Sequence, residues 1–370
     1  MTSLMISADS HVTEPPNTYL DNIDPAYRDR APKMIDHEKL GDVFVIDGMS
    51  KPISFATAAA AGKRPEEIRS YGAKFDELHL GGWDPDARMA DQVRDGVAAE
   101  IIYPTLGMIL CNHTDFDYKH ACFEAYNRWI AEYCSAHPER LLGLGQTAVR
   151  SPEDGIADLH AIKALGLRGV MLPGEPGVED YDSPIYDDFW ETAIELQLPL
   201  SFHILTMRAE KTRGPKMAGF LSIVRGCQDV MAMLVMGGVF ERHPNLSIVC
   251  AEADAGWVPH FMYRMDHAYK RHRYWLPPGQ ELSKLPSEYF AENVFVTFQD
   301  DWTAFKHADD MNWHHLLWAN DFPHSDSTWP WSQEMLAEHT VSLTNEQKDA
   351  ILGTNVTALY HIDTAPLAAG

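Results

Sequence analysis

With 370 residues, 45% of them hydrophobic and 23% charged, the chain has ample material for a packed core. It is long enough for two average domains or for one α/β barrel with inserted loops. Thirty Lys and Arg against 54 Asp and Glu leave a formal charge of −24, a field that repels phosphate backbones and anionic bilayers and excludes nucleic acid and membrane surfaces as expected partners.

In chain order, the first expected strand is Leu4–Val12. An insert at about 16–85 follows, roughly seventy residues long and so longer than an ordinary connection. It holds a hairpin strand, Asp42–Ile46, then Asp47-Gly48 and an Ala-rich stretch, Ala56–Ala61. From about residue 86, short β-rich runs alternate with longer amphipathic stretches, as in βαβ units with a parallel sheet. The further strands expected are Ala98–Pro104, Leu141–Ala148, Gly169–Pro173, Pro199–Ile204, Leu246–Ala251, Asn293–Phe298 and Leu316–Asn320. Between them, Tyr118–Ala136 predicts a helix with Phe123, Tyr126, Ile130 and Cys134 on one stripe, stopped by His137-Pro138. Ile185–Leu196 and Lys216–Arg242 read the same way, and the tail 364–370 reads as frayed. Eight strands with intervening helices predict an α/β fold of the (β/α)₈ TIM-barrel type, one domain over 1–363, with the insert placed over the barrel mouth as a lid, an oligomer contact or a passive excursion.

The five cysteines, Cys111, Cys122, Cys134, Cys227 and Cys250, form no C-x-x-C and read as reduced thiols. No basic, then apolar, leader opens the chain, and the apolar run Val230–Phe240 is too short to span a bilayer and reads as a buried helix. A cytoplasmic protein is the expectation.

Chemistry gathers at strand ends. Side chains at i and i+2 of a strand share a face, so Asp9 and His11 point together into the barrel mouth. A carboxylate beside an imidazole is costly to bury unless paired or metal-bound. Strand five ends on His203, strand six on Glu252, and strand eight runs into Asp321 with His324 three residues on. Taken singly each is an ordinary polar residue at a strand end; together they converge on one cavity. Two imidazoles with carboxylates suit zinc first, then manganese or iron, as one ion or two. His324 reads as an acid/base, a ligand to a second metal, or a partner of the first ligands; Glu14 reads as a residue that positions its loop. Trp318, Trp329 and Trp331 read as rim packing first and as a substrate-stacking set second, while His267, His272, His314, His315 and His339 sit in helical or surface contexts.

Several segments carry a resemblance: Asp9-Ser10-His11-Val12-Thr13-Glu14-Pro15; Trp83 to Asp91 leading to Asp95-Gly96-Val97; Tyr126-Asn127-Arg128-Trp129-Ile130; and Pro138-Glu139-Arg140-Leu141. The Phe202-His203 pair, Gly256-Trp257-Val258-Pro259 and Asn320-Asp321-Phe322-Pro323-His324 complete the set. Through these, and over nearly its full length, the chain resembles the amidohydrolase-related family that includes aminocarboxymuconate-semialdehyde decarboxylase and aromatic-acid decarboxylases. The resemblance implies Asp9 and His11 as strand-one ligands, His203 as the strand-five ligand and Asp321 as the strand-eight ligand. Many relatives carry H-x-H where this chain has Asp9, and some carry histidine where it has Glu252. Strand four, Gly169–Pro173, has no lysine, which argues against a carbamylated-lysine two-metal centre.

The leading functional expectation is a metal-dependent hydrolase or non-oxidative decarboxylase of a small carboxylate-bearing or cyclic substrate. In it Asp321 serves as ligand and base, and Glu252 or His324 relays the proton. A dinuclear iron or manganese oxygenase is the second reading. The third is a non-catalytic barrel subunit paired with an active paralogue. A homo-oligomer is expected, with a hetero-oligomer under the third reading.

Overall fold

The computed structural model describes residues 4–207, 214, 215, 217–276 and 279–367. Eight parallel strands line its centre: β1 Ile6–His11, β2 Ala99–Tyr103, β3 in two pieces (Leu141–Gly143 and Gly145–Gln146), β4 Val170–Met171, β5 Leu200–His203, β6 Ile248–Ala251, β7 Val294–Phe298 and β8 Leu316–Trp318. Each pairs with its sequence neighbour in parallel register. The Leu144 N–H donates to the Ile102 carbonyl and the Arg168 N–H to the Gly143 carbonyl, which carries β3 from one partner to the next. Beyond the end of β8, the Asp321 N–H donates to the Asp9 carbonyl at 3.0 Å and the His11 N–H to the Phe322 carbonyl at 2.6 Å. These bonds close the ring, and the (β/α)₈ barrel expected from the strand count is the fold observed. The strands are buried on both faces, so most are rich in Ile, Val and Leu, while β1 and β5 also carry the buried polar residues Ser7, Asp9, Ser10, His11, Ser201 and His203.

The helix expected over Tyr118–Ala136 runs Phe116–Cys134, because the Asp115 side chain accepts from the Tyr118 N–H and starts it two residues earlier. Phe123, Tyr126, Ile130 and Cys134 are buried along it. The Lys216–Arg242 segment is three helices, Ala218–Ser222, Arg225–Met236 and Val239–Arg242; Lys216 itself lies outside the described residues. Gly238, at φ +71°, separates the last two, so the expected single buried helix over Val230–Phe240 is broken there. Ala218–Met236 covers nineteen residues of mean hydropathy 1.4, long and apolar enough to cross a membrane by length and composition, although Val230–Phe240 alone is not. Cys227 on this stretch lies 3.7 Å from the Phe202 carbonyl of β5, so the stretch flanks the barrel wall.

The insert folds into an antiparallel sheet of Lys33–His37, Gly41–Val45 and Ile53–Ser54. Its Ala-rich stretch forms turns whose Ala59, Ala60 and Ala61 are buried. The Ala61 N–H donates to the Pro323 carbonyl and the Ser325 N–H to the Thr57 carbonyl, so the insert is seated on the loop that follows β8.

Candidate metal centre

Alternation along β1 aims Asp9 and His11 at the barrel axis, where both are fully buried. His203, the last residue of β5, meets them there, also buried. Glu252 and Asp321 arrive differently. Glu252 follows the last residue of β6 and Asp321 lies three beyond β8, and both hold left-handed backbone, φ +54° and +53°. Non-glycine residues pay for that conformation, and the cost is tolerated where the side chain must be aimed. The bond from the Asp321 N–H to the Asp9 carbonyl holds the loop at the height of β1.

His11 Nε2 lies 3.4 Å from Asp9 Oδ1, 3.2 Å from Glu252 Oε2 and 3.6 Å from Asp321 Oδ1. His203 Nε2 lies 3.6 Å from Asp9 Oδ1 and 3.0 Å from Glu252 Oε2. The far ring nitrogens decide what these contacts are. His11 Nδ1 sits 3.1 Å from the Pro104 carbonyl and His203 Nδ1 2.9 Å from the Ile204 carbonyl. A carbonyl only accepts, so Nδ1 carries the hydrogen in both neutral rings, and both Nε2 lone pairs face carboxylate oxygens. Asp9 Oδ1, His203 Nε2 and both Asp321 oxygens are buried without a hydrogen-bond partner among the described residues. Lone pairs so arranged repel unless a positive charge lies among them. Donors about 2.0–2.2 Å from one divalent ion stand about 3.0–3.6 Å apart when adjacent, which is the spacing found. The residues therefore fit a metal.

Without a cation, protons must take its place. Burial pulls His203 down, but Asp9 and Glu252 beside it outweigh that and push it up to about 10. Burial likewise opposes ionisation of Glu252, yet His203 and His11 hold it well below the usual carboxylate range. Asp321 is raised well above that range by burial and then by the charges of Glu252 and Asp9.

Around the donors stand residues that the sequence did not single out. Thr297 on β7 donates to Asp9 Oδ2 at 2.8 Å and accepts the Glu252 backbone N–H at 2.7 Å, tying the Asp9 carboxylate to the main chain of Glu252. Arg88, fully buried, pairs with Glu100 at 2.6 Å and donates to the carbonyls of His11 and Phe322 at 2.7 and 3.4 Å. Asn320 accepts from Ser10 and from the Phe322 N–H, and donates to Asp95. A run of hydroxyl and amide residues at strand ends was the available signal, but such residues are common there for purely structural reasons.

His324 Nδ1 lies 2.9 Å from Asp321 Oδ1, and His11, Glu252, Asp321 and His324 form a second set of four donors whose atoms lie within 4.8 Å of one another. The first such set is Asp9, His11, His203 and Glu252. Glu14 accepts the N–H groups of Thr105 and Leu106, positioning that loop as expected, and burial pushes its carboxyl up to about 7. Trp318 and Trp329 are buried as rim packing requires, whereas Trp331 is half exposed and does not pack the rim. His315 stacks on Phe295 and His314 on Trp313, away from the donors.

Residues 14–362 match the family model described as Amidohydrolase. The 2-amino-3-carboxymuconate-6-semialdehyde decarboxylase of Dictyostelium discoideum is 26% identical over 201 residues, 54% of this chain. That match spans 55% of the relative's length, little more than half of it. Among solved structures, an amidohydrolase from Mycobacterium avium subsp. paratuberculosis K-10 superposes with a TM-score of 0.79 at 18% identity, covering 97% of this chain and 100% of the other. The 5-carboxyvanillate decarboxylase of Novosphingobium aromaticivorans, complexed with manganese and a nitrobenzoic acid, gives 0.70 at 18% identity, over 97% and 96% of the two chains.

Proposed function

The chain belongs to the amidohydrolase family, and from that premise we propose that it is a divalent-metal-dependent carboxy-lyase, a non-oxidative decarboxylase of a small acid whose carboxylate sits on an aromatic or conjugated carbon. The observation that carries this reading is the buried group of partnerless lone pairs on Asp9, His203 and Asp321 at the barrel mouth. The decarboxylase relatives support the choice of reaction. Asp9, His11, His203 and Asp321 are the proposed ligands, with Glu252 as a fifth donor. Zinc suits two imidazoles with carboxylates, and the manganese bound by the decarboxylase neighbour supports that ion as the alternative.

A bound cation supplies polarisation of a substrate oxygen and reverses the negative field that the carboxylates would otherwise present to an anionic substrate. The chain's own residues handle the proton. Asp321 delivers it to the carbon bearing the carboxylate; the bond to that carboxylate then breaks, its electron pair returns to the conjugated system, and CO₂ leaves. The product keeps one hydrogen where the carboxylate stood. Asp321 regains a proton by relay through His324 Nδ1, 2.9 Å away, which takes it up from solvent and passes it on, while Glu252, its side chain 13% exposed, is the more open of the carboxylates.

The test is CO₂ release from a panel of ortho-hydroxylated aromatic and conjugated dienoic acids, run with zinc and with manganese in deuterated water. The reading predicts CO₂ and one deuterium at the vacated carbon. No CO₂, with hydrolysis of amides or lactones instead, would make the chain a hydrolase. The second donor set, His11, Glu252, Asp321 and His324, is the one observation favouring a dinuclear oxygenase, and oxygen uptake during turnover would decide for it.

A further inference from the structure

Thr105 lies two residues past β2 and is nearly buried. Its N–H donates to Glu14 Oε1 at 3.0 Å, and its hydroxyl lies 2.7 Å from the Val12 carbonyl and 3.0 Å from His324 Nε2. A hydroxyl has one hydrogen. The Val12 carbonyl has none to give, so the Thr105 hydrogen must point at it, and the hydroxyl meets His324 as an acceptor. His324 Nε2 therefore carries a hydrogen, and in the neutral ring Nδ1 is left as a lone pair facing Asp321 Oδ1 at 2.9 Å.

The ring is held on further sides. It stacks on His11 with centroids 3.9 Å apart and planes 25° apart, and the backbone N–H of His324 donates to the Asp321 carbonyl at 2.9 Å, which anchors the main chain that carries it. Glu14 in turn fixes the main chain of Thr105, so an exact hydroxyl position is available to the imidazole.

We propose that Thr105 is a positioning residue that locks His324 in the Nε2–H tautomer, so that Nδ1 is the atom that exchanges a proton with Asp321. The Nε2 hydrogen stays captive on Thr105 and takes no part in the transfer. The tautomer assignment stands on hydrogen-bond geometry alone; its consequence for turnover rests on the carboxy-lyase reading.

The experiment is long-range ¹H–¹⁵N correlation spectroscopy on zinc-loaded protein labelled at histidine nitrogen, with the His324 signals identified by their loss in His324→Gln. Nε2 is expected to be protonated and Nδ1 not. Thr105→Val should give a mixture of tautomers, and Thr105→Ser should restore one. In turnover, Thr105→Val should lower kcat about 10- to 100-fold with KM little changed, and Thr105→Ser should recover it. A wild-type spectrum with the proton on Nδ1, or a Thr105→Val spectrum identical to wild type, overturns the proposal. Should Thr105→Val not fold, the wild-type spectrum alone decides. Because the spectrum needs no substrate, a protein that shows the predicted tautomer but releases no CO₂ would refute the carboxy-lyase reading and leave the Thr105 assignment intact.

Discussion

Asp9, Glu252 and Asp321 bring three carboxyl groups to a largely buried place, opposite two imidazoles whose Nδ1 hydrogens are spent on carbonyls. Protons and a metal ion compete for the same lone pairs there. With His11 and His203 both raised, metal affinity should climb with pH, by about tenfold per pH unit for each proton displaced, and chelator competition between pH 6 and 8 measures it. Asp321→Asn removes the carrier of the proton and should lower kcat by about 10²-fold or more; full activity in that variant would contradict the role given to Asp321. Glu14 offers a test away from the proposed ligands. Its folded value of about 7 lies above the unfolded one, so the folded chain binds the extra proton and stability falls as pH rises from about 4.5 to 7. Glu14→Gln should therefore raise the melting temperature at pH 8 and change it little at pH 4.5. Asp9 and His11 were legible because strand alternation aims them, and His203 because it ends an apolar strand. Thr105 and Thr297 were not, because a threonine near a strand looks the same whether or not it bonds a carboxylate or an imidazole.

The elements matter through one seam. Where β8 returns to β1, the backbone bonds come from loop residues rather than from a regular ladder, and the Arg88 guanidinium grips the carbonyls of His11 and Phe322 on the two sides. Arg88→Met would leave Glu100 buried without its partner, at a cost of about 3–5 kcal/mol, and would loosen both segments that carry the proposed ligands. A lower melting point together with weaker metal retention is expected, and the added change Glu100→Gln should recover part of the first. Most barrel strands were readable from runs rich in Ile, Val and Leu, since both faces are buried, whereas β1, Ile6–His11, is mostly small and polar. In the insert only Gly41–Val45 was foreseen. Its partner Lys33–His37 is charged and mostly exposed, and Ile53–Ser54 is too short to show alternation. The break at Gly237-Gly238 was hidden by the apolar residues on both sides of it.

For the molecule as a whole, a charge of −24 and an inward-facing cluster of acids make a bound cation an electrostatic need as much as a chemical one. Metal that binds the folded chain and not the unfolded one stabilises it by about 4 kcal/mol at a thousandfold excess over Kd, so binding should be visible in the melting curve before any substrate is known. The most direct measurement is elemental analysis of the protein purified without added metal, paired with melting before and after chelation. The account predicts at least one equivalent of zinc, manganese or iron per chain, a fall in melting temperature when it is stripped, and recovery when it is returned. A chain that takes up no divalent metal even when it is supplied, and whose melting ignores both chelator and ion, would contradict it.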